Sequence, residues 1–295
     1  MPATLPDSGR RFCFAVRDYD LAATLSSGQA FRWERHGGQW LGVIGRRWVS
    51  LVPAADGITA EVVHVEHDGH WLADYLQTEV DLDTVLGTFP DDAPVRAAVA
   101  VCRGLRLLRQ DPWECLASFI LSSTKQIVQI RQIVRLLCER FGEAIATPPG
   151  QAPAFAFPTP DRLAGATEAE LRQCKMGFRA SYLRAVARAV AEGRFDLESP
   201  RVLPLAAARD ELLKLPGVGA KIANCVLLFA YGFPTAFPVD VWVAKALRQL
   251  YFPRRRVPAA RLKRFAETHF GPHAGYAQQY LFHYMRRTAN LRNGT

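Results

Sequence analysis

The chain has 295 residues, and with 49% of them hydrophobic it can bury a core shared by one large or two to three small domains. Lys and Arg (37) outnumber Asp and Glu (28), and the formal net charge of +9 suits a polyanionic partner.

No apolar run reaches the roughly 18–20 residues that span a bilayer, so we expect neither a transmembrane helix nor a secretory signal. The six cysteines form no C-x-x-C pair, which argues against a zinc site or an iron–sulfur cluster. Most of them have apolar neighbours, which indicates buried free thiols in a reducing compartment. They are Cys13, Cys102, Cys115, Cys138, Cys174 and Cys225.

The first part of the chain alternates between apolar and polar residues and predicts an antiparallel β-rich unit. Gly37-Gly38 is typical of a hairpin turn. A short helical stretch begins near Tyr19 and ends at Ser26-Ser27-Gly28-Gln29, where Gly28 has the position of a cap or turn residue. The pattern predicts strands over residues 11–16, 30–36, 39–44, 47–52 and 58–65.

From about residue 69 onward the pattern is helical. Asp111-Pro112-Trp113-Glu114 combines an N-cap, a proline at the first helical position and a glutamate three residues after the cap, and so predicts a helix start. Thr167 to Glu170 forms a second capping box. The proline-rich stretch over 147–160 predicts a loop or a domain crossing. Further helices are predicted from Ile130 to a cap at Gly142, over Arg179–Ala191 and over about Tyr276–Arg287.

The most informative segment runs from Leu212 to Cys225 and predicts a helix, a tight turn and a second helix. Pro216 cannot continue the first helix, and Gly217 and Gly219 give the turn backbone freedom. The free N–H groups at the start of the second helix form an anion site. Lys221 lies in the first turn of that helix, where the macrodipole opposes a cation, and a neutral lysine is a nucleophile.

A carboxylate follows at the next predicted helix start. Asp240 comes after Phe237-Pro238-Val239 and precedes an apolar helix, so its ordinary role would be an N-cap. An αα-hairpin with a surface lysine would explain the glycines alone. The combination of a phosphate-binding hairpin, a lysine placed against the dipole and this carboxylate instead favours chemistry on a polyanion.

Taken in order, several segments make the chain resemble the 8-oxoguanine DNA glycosylase family of helix-hairpin-helix DNA glycosylases. A single helix-hairpin-helix also occurs in non-catalytic DNA-binding modules, whereas the whole series is specific. The resemblance covers most of the chain and is carried by Gly28-Gln29-Ala30-Phe31-Arg32-Trp33, Leu107-Leu108-Arg109-Gln110-Asp111-Pro112 with Glu114-Cys115, Gly177-Phe178-Arg179-Ala180, Leu215-Pro216-Gly217-Val218-Gly219-Ala220-Lys221, Pro238-Val239-Asp240-Val241, and Ala274-Gly275-Tyr276-Ala277-Gln278 with Leu281-Phe282.

The resemblance implies an α+β fold, with a small antiparallel β-sheet domain over 1–95 and a helical region over 96–295. That region would contain two mostly helical subdomains, a hairpin near 206–231 and an active-site cleft between the subdomains. The implied partner is double-stranded DNA containing oxidised guanine. We expect no cofactor, no metal and no membrane, a monomer, and an intracellular location with the DNA: bacterial cytoplasm or nucleoid, or a nucleus.

The implied function is base-excision repair of 8-oxoguanine with strand nicking. By resemblance, Lys221 attacks the sugar C1′ and forms a Schiff base, and β-elimination then cuts the strand. Asp240 stabilises the cationic sugar as the glycosidic bond breaks. The amides of Gly217, Val218 and Gly219 hold a DNA phosphate.

The resemblance also assigns the base pocket. The carbonyl of Gly28 would accept the N7–H that oxidised guanine has and guanine lacks, and Gln278 would contact the Watson–Crick edge. Phe282 and Cys225 would sandwich the flipped base. From the residues alone, core packing would explain Phe282, and a small buried hydrophobe would explain Cys225.

The residues that face the opposite base depart in part from the family pattern. Phe178 matches the aromatic wedge and Arg179 one of two arginines that contact the opposite cytosine. Thr124 replaces an asparagine and Gln129 the other arginine, so we expect weaker discrimination of the opposite base. Trp242 replaces a histidine, which leaves a phosphate contact near the site in doubt.

Two other readings remain open. A related glycosylase for another lesion is one, although an alkylated-base enzyme would lack Lys221. The adenine-mispair and oxidised-pyrimidine branches usually carry a C-terminal four-cysteine cluster, and no cysteine follows Cys225. A non-catalytic helix-hairpin-helix module is the other reading, against which Lys221 and Asp240 argue together.

Overall fold

The computed structural model describes residues 9–63, 68–253 and 256–293. Near the N-terminus of the described residues, five strands form an antiparallel sheet in the order β1-β5-β4-β3-β2. Four successive residues of the central strand β4, Trp48 to Leu51, are buried. Val49 and Leu51 pack against the first two helices of the chain. The strands are β1 (Arg10–Ala15), β2 (Trp33–His36), β3 (Gln39–Ile44), β4 (Arg47–Ala54) and β5 (Gly57–Val62), and the two helices are α1 (Leu21–Ser26) and α2 (His70–Leu76).

The rest of the described chain is mostly helical. Its centre is the contact between α5 and α11, whose apolar residues are buried almost all round, as expected of helices enclosed by other helices. The helices are α3 (Leu82–Gly87), α4 (Ala93–Cys102), α5 (Pro112–Leu121), α6 (Ile127–Phe141), α7 (Pro160–Gly165), α8 (Glu168–Gln173), α9 (Arg179–Ala191), α10 (Leu205–Leu213), α11 (Ala220–Phe229), α12 (Val241–Tyr251), α13 (Ala259–His269) and α14 (Ala274–Asn293). Two short strands, β6 (Ala144–Ile145) and β7 (Ala154–Phe155), pair with each other.

The α+β class predicted from the sequence is confirmed, with the sheet first and the helices after it. The buried side chains form one cluster under the sheet and a larger one among the helices, and Val95 and Ala98 of α4 belong to the larger cluster. The boundary at residue 95 and the two helical subdomains stay predictions. No helix in the described ranges is long and apolar enough to cross a bilayer.

The helix caps predicted from the sequence are observed at the starts of α5 and α8. Asp111 caps α5 by accepting a 2.8 Å hydrogen bond from the Glu114 N–H, and Thr167 and Glu170 form the predicted capping box. The strand predicted over 30–36 begins only at Trp33, since the preceding residues contact the helical region; Arg32 donates to Glu114 Oε2 at 3.3 Å.

Three other predicted boundaries of strands, helices or loops differ from those in the structure. The stretch over 147–160 contains β7 and is not entirely loop. The last helix extends beyond the predicted range at both ends. The strand predicted over 58–65 is observed as β5, and positions 64 and 65 lie outside the described residues.

A buried glutamine joins the sheet region to the helical region. The Gln29 side chain is closed to solvent. Its Nε2 donates to the carbonyls of Thr24 (3.0 Å) and Arg106 (2.8 Å), and its Oε1 accepts from the Leu108 N–H at 2.8 Å. These bonds fix the loop after α1 against the segment that leads into α5.

We predict that Gln29→Ala destabilises the protein by about 3 kcal/mol, because it leaves the buried Leu108 N–H and Arg106 carbonyl without partners. Urea unfolding at equilibrium measures the loss. Gln132→Ala, at an exposed position of α6, is the control and should change the free energy of unfolding by less than about 0.5 kcal/mol. Equal effects of the two substitutions would contradict the prediction.

Candidate active site

The hairpin between α10 and α11 has the predicted shape, but only one of its glycines needs unusual backbone angles. Gly217 has φ +78°, and a Cβ there would lie 2.7 Å from Cγ of Tyr182. Gly219 has φ −98° and is the extended N-cap of α11, so the freedom predicted for it is not required. A Cβ on Gly219 would project into open space, and this side of the turn is therefore accessible.

The three residues predicted to bind phosphate are not equivalent. The Val218 N–H donates to the Leu215 carbonyl at 3.1 Å, and the Val218 side chain is buried. The N–H groups of Gly217 and Gly219 make no hydrogen bond to any described residue. Gly217 and Gly219 therefore offer the free donors, whereas Val218 holds the turn together.

Lys221 lies in the first turn of α11, and its amine points at the end of α5. Its Nζ donates to Ser122 Oγ at 2.9 Å, and that hydroxyl donates to the Phe119 carbonyl at 2.7 Å. The amine also lies 5.0 Å from the centroid of the Phe119 ring. These contacts fix the nitrogen at the end of α5, beside an aromatic ring.

Asp240 is the N-cap of α12, as predicted, and accepts a 2.7 Å hydrogen bond from the Val243 N–H. Burial raises the pKa of Asp240 above its ordinary value. The Val243 N–H, Lys221 and Arg286 each oppose that rise. The carboxylate therefore lies within electrostatic reach of the lysine, and its ionised form depends on these partners.

Cys225 lies on α11 one turn after Lys221 and is buried. Burial raises the pKa of its thiol to about 11, although Lys221 lowers it and Asp240 raises it further. The thiol is therefore neutral at ordinary pH and is an apolar wall beside the two charged groups.

The Gly28 loop contacts side chains of α6 and α14. Gly28 has φ +83°, and a Cβ there would lie 2.5 Å from Cδ1 of Ile127 and 3.6 Å from Cε1 of Phe282. The carbonyls on either side are occupied, since Ser27 accepts from Gln279 and Gln29 accepts from Gln110. The Gly28 carbonyl accepts no hydrogen bond from any described residue, so it is a fixed and free acceptor.

Helix α14 supplies the remaining pocket residues. Gln278 is 4% exposed, and its Oε1 has no hydrogen-bond partner in the described chain. Phe282 follows one turn later and is half-buried next to Gly28. A buried amide oxygen left without a donor is costly in ordinary packing and indicates a ligand-facing group.

Comparison with known proteins agrees with this geometry. The N-terminal domain of 8-oxoguanine DNA glycosylases matches residues 11–116. The HhH-GPD superfamily of base excision DNA repair proteins matches residues 117–270. An N-glycosylase/DNA lyase of Arabidopsis thaliana is 33% identical over 284 residues, covering 89% of this chain and 76% of that protein. The chain belongs to the 8-oxoguanine DNA glycosylase family.

Two further proteins are similar to this chain, one in sequence and one in structure. A probable N-glycosylase/DNA lyase of Methanothermobacter thermautotrophicus is 33% identical over 231 residues, covering 70% of this chain and 73% of that protein. The structure of the Clostridium acetobutylicum 8-oxoguanine glycosylase/lyase with double-stranded DNA is 29% identical, with a TM-score of 0.86, covering 96% of this chain and 99% of that one. The family predicted from the sequence is confirmed.

In this glycosylase the residues predicted to face the opposite base lie together, but not all of their side chains are free to contact DNA. Phe178 is 55% exposed and precedes α9, as expected of a wedge. Arg179 is buried; its guanidinium donates to the Ser123 carbonyl and to Oγ1 of Thr124. Thr124 itself has φ +56°. Arg179 therefore supports the strained Thr124 turn, and its contact with a cytosine stays a prediction.

The other two departures from the family pattern also have local roles. Gln129 Oε1 accepts from the Gln126 N–H at 3.0 Å and so caps α6. The Trp242 ring lies on α12 with Nζ of Lys245 5.6 Å from its centroid.

Several site residues were not predicted from the sequence. Ser122, Phe119 and Ile127 contact predicted residues, but their own neighbours in the chain indicate only a helix end and a helix start. Arg286 lies 5.4 Å from the Phe282 ring centroid, and its spacing of four from Phe282 was the available signal. Within the described ranges no group of three His, Cys, Asp or Glu residues could hold a metal ion.

We predict that Asp240→Asn stabilises the protein at pH 7. Because the folded-state pKa of Asp240 is raised, its stabilising contribution is complete below the ordinary carboxyl pKa of about 4 and is lost as the pH rises through the folded-state value. Asparagine keeps an N-cap acceptor without the charge. The urea midpoint of Asp240→Asn should exceed that of the wild type at pH 7, and the gain should shrink toward pH 4.

The matched control is Asp111→Asn, the same change at the exposed N-cap of α5. It should not reproduce the gain. A stabilisation by Asp240→Asn that was constant with pH would contradict the role of charge burial.

Proposed function

We propose that this chain removes 8-oxoguanine from duplex DNA and then cleaves the strand at the abasic site. The observation that carries the proposal is the Gly28 carbonyl, a free acceptor between two occupied carbonyls. Gly28 lies beside Phe282, and the Arg286 guanidinium lies 5.4 Å from the centroid of that ring. Arg286 is in turn within electrostatic reach of Asp240, which neighbours Lys221 and Cys225.

The free carbonyl accounts for selection of the oxidised base. In 8-oxoguanine N7 carries a hydrogen and donates, whereas in guanine N7 has a lone pair that would face the lone pairs of the Gly28 oxygen. A buried acceptor left unpaired costs about 1–3 kcal/mol, so guanine is disfavoured by the same atom that holds the lesion. The unpartnered Oε1 of Gln278 supplies a second acceptor for N–H groups of the Watson–Crick edge.

Base removal requires a nucleophile and a fixed negative charge at the sugar. The Lys221 amine attacks C1′ as the bond from C1′ to the base breaks, and the base leaves with the bonding electron pair. Positive charge develops on the sugar in the transition state, where the Asp240 carboxylate stabilises it. Burial makes that stabilisation stronger than it would be in water.

The same covalent bond leads to strand cleavage. The ring opens as the C1′–O4′ bond breaks, O4′ takes up a proton, and the Lys221 nitrogen loses a proton and forms an imine with C1′. The imine makes the C2′ hydrogen acidic. Loss of the C2′ proton breaks the C3′–O3′ bond, and the 3′ phosphate leaves with the bonding electron pair by β-elimination. Hydrolysis of the imine then restores the free amine.

The protein surface around the pocket fits duplex DNA with one nucleotide extruded. Flipping costs a few kcal/mol of stacking and pairing, and the exposed Phe178 can fill the space left in the helix. The free amides of Gly217 and Gly219 lie at a helix N-terminus, where they can bind a backbone phosphate. The net charge of +9 favours the encounter with DNA.

We predict that borohydride traps a covalent complex between the wild-type protein and an 8-oxoguanine duplex, and that Lys221→Gln abolishes trapping. Glutamine has no amine to form the imine but leaves the pocket filled. Electrophoresis of the trapped complex measures the product, and a fluorescence anisotropy titration should give a DNA affinity within about threefold of wild type.

The control for this substitution is Lys263→Gln, on the exposed side of α13. It removes the same charge and should trap as the wild type does. If Lys221→Gln still trapped at the original rate, another amine would be the nucleophile.

We also predict weak discrimination of the base opposite the lesion. Thr124 lacks an amide, Gln129 caps α6, and Arg179 is engaged by the Thr124 turn. Single-turnover excision rates opposite cytosine, adenine, guanine and thymine should lie within roughly tenfold of one another. Gln129→Arg should increase the preference for cytosine, whereas Gln132→Arg, on the same helix, should not. A preference for cytosine beyond roughly a hundredfold in the wild type would contradict this prediction.

A further inference from the structure

Two arginines lie beside the base pocket and have no part in the proposed chemistry. Arg286 follows Phe282 by one turn on α14, and its guanidinium carbon lies 5.4 Å from the centroid of the Phe282 ring. Arg131 follows Ile127 by one turn on α6. Since Ile127 and Phe282 both face Gly28, the two arginines extend the same pocket outward.

Neither arginine is neutralised by a carboxylate hydrogen bond. Arg286 makes no hydrogen bond or ion pair with any described residue. Arg131 donates only a long 3.4 Å bond to the Leu25 carbonyl, and its buried Nε has no described partner. Both side chains are half-buried, so their positive charges are only partly solvated.

The charges around Arg286 indicate an anion that is not part of the protein. Burial lowers the pKa of Arg286 and Arg131 lowers it further, whereas Asp240 raises it. The two cations therefore repel each other, and Asp240, the nearby carboxylate, makes no hydrogen bond or ion pair with either of them in the described chain. An added negative charge between Arg286 and Arg131 would relieve this repulsion.

We propose that Arg286, supported by Arg131, binds a backbone phosphate of the flipped nucleotide. The Phe282 ring packs against the Arg286 guanidinium, whose N–H donors make no bond within the described chain, and guanidinium geometry fits two phosphate oxygens at once. The sugar must lie between Lys221 and Asp240, so its phosphates pass the outer rim of the pocket. Trp242 stands where the family resemblance implies a phosphate-binding histidine, and Arg286 supplies the missing charge.

This subsite rests on the proposed extrusion of a nucleotide, but it can be tested without 8-oxoguanine. A duplex with a tetrahydrofuran abasic-site analogue presents the same backbone and no base. Arg286→Gln should weaken binding to this duplex by roughly tenfold or more, as expected for a lost charge-assisted contact. The slope of log affinity against log salt should fall by about 0.9, the value for one phosphate contact.

The matched control is Arg287→Gln, the next residue on α14, whose exposed side chain donates to the Val101 carbonyl at 2.9 Å. It removes the same charge and should change the affinity by less than roughly threefold. Arg286→Lys keeps the charge without the planar fork and should give an intermediate affinity. The urea midpoint of each variant separates a folding defect from a binding defect.

Methylphosphonate substitution identifies the partner phosphate. In the wild type, removing the charge of one phosphodiester flanking the abasic analogue should weaken binding by roughly tenfold, and in Arg286→Gln the same change should have no further effect. The proposal would be overturned if every methylphosphonate weakened binding as much in Arg286→Gln as in the wild type. It would also be overturned if Arg286→Gln and Arg287→Gln weakened binding equally. If this test succeeds and the wild type does not excise 8-oxoguanine, the proposed lesion is wrong and the phosphate site stands.

Discussion

The hydrogen bonds of the buried Gln29 amide determine where the base pocket can form. They hold the loop after α1 against the segment leading into α5, although the two stretches are distant in sequence. Gly28 is adjacent, so its carbonyl is held at a fixed distance from the helices that carry the proposed catalytic groups. The bond from Gln279 to the Ser27 carbonyl adds α14 to the same assembly. A shift of one of these parts would change the position of the proposed acceptor, the Gly28 carbonyl, relative to the proposed nucleophile, Lys221.

The two proposed catalytic side chains both lie at helix starts. At the start of α12 the dipole and the Val243 N–H favour the carboxylate of Asp240, while burial opposes its charge. At the start of α11, Lys221 lies against the Ser122 hydroxyl and the Phe119 ring. The charges of Lys221 and Arg286 partly offset the burial of Asp240. Neighbours on other helices therefore set the surroundings of both groups.

Prediction from the sequence succeeded where the chemistry is local. Caps such as Asp111 and Asp240, and the turn at Gly217, depend on the residues next to them, and the structure has them as expected. It failed where the contact joins distant segments. The role of Arg179 as a support for Thr124 depends on side-chain direction across 55 residues, which spacing does not give. The capping bond of Gln129 was missed although it is local, and its spacing of three from Gln126 was the available signal. The meeting of Ile127 with Gly28 could not be predicted, because it requires the packing of α6 across the pocket.

The chemistry of the site divides affinity from selection. In the proposed complex, the charges of Arg286 and Arg131 and the free amides of the hairpin attract any phosphodiester backbone and carry no information about the base. The groups proposed to face the base are neutral acceptors, the Gly28 carbonyl and the Gln278 amide oxygen, and their contribution depends on which hydrogens the base presents. Because Gln278 is buried and Gly28 is half-buried, these acceptors can act only after a nucleotide has left the duplex. A strong backbone grip therefore does not reduce selectivity: it stabilises every extruded nucleotide alike, and the difference between oxidised and normal guanine is decided afterwards, in the pocket.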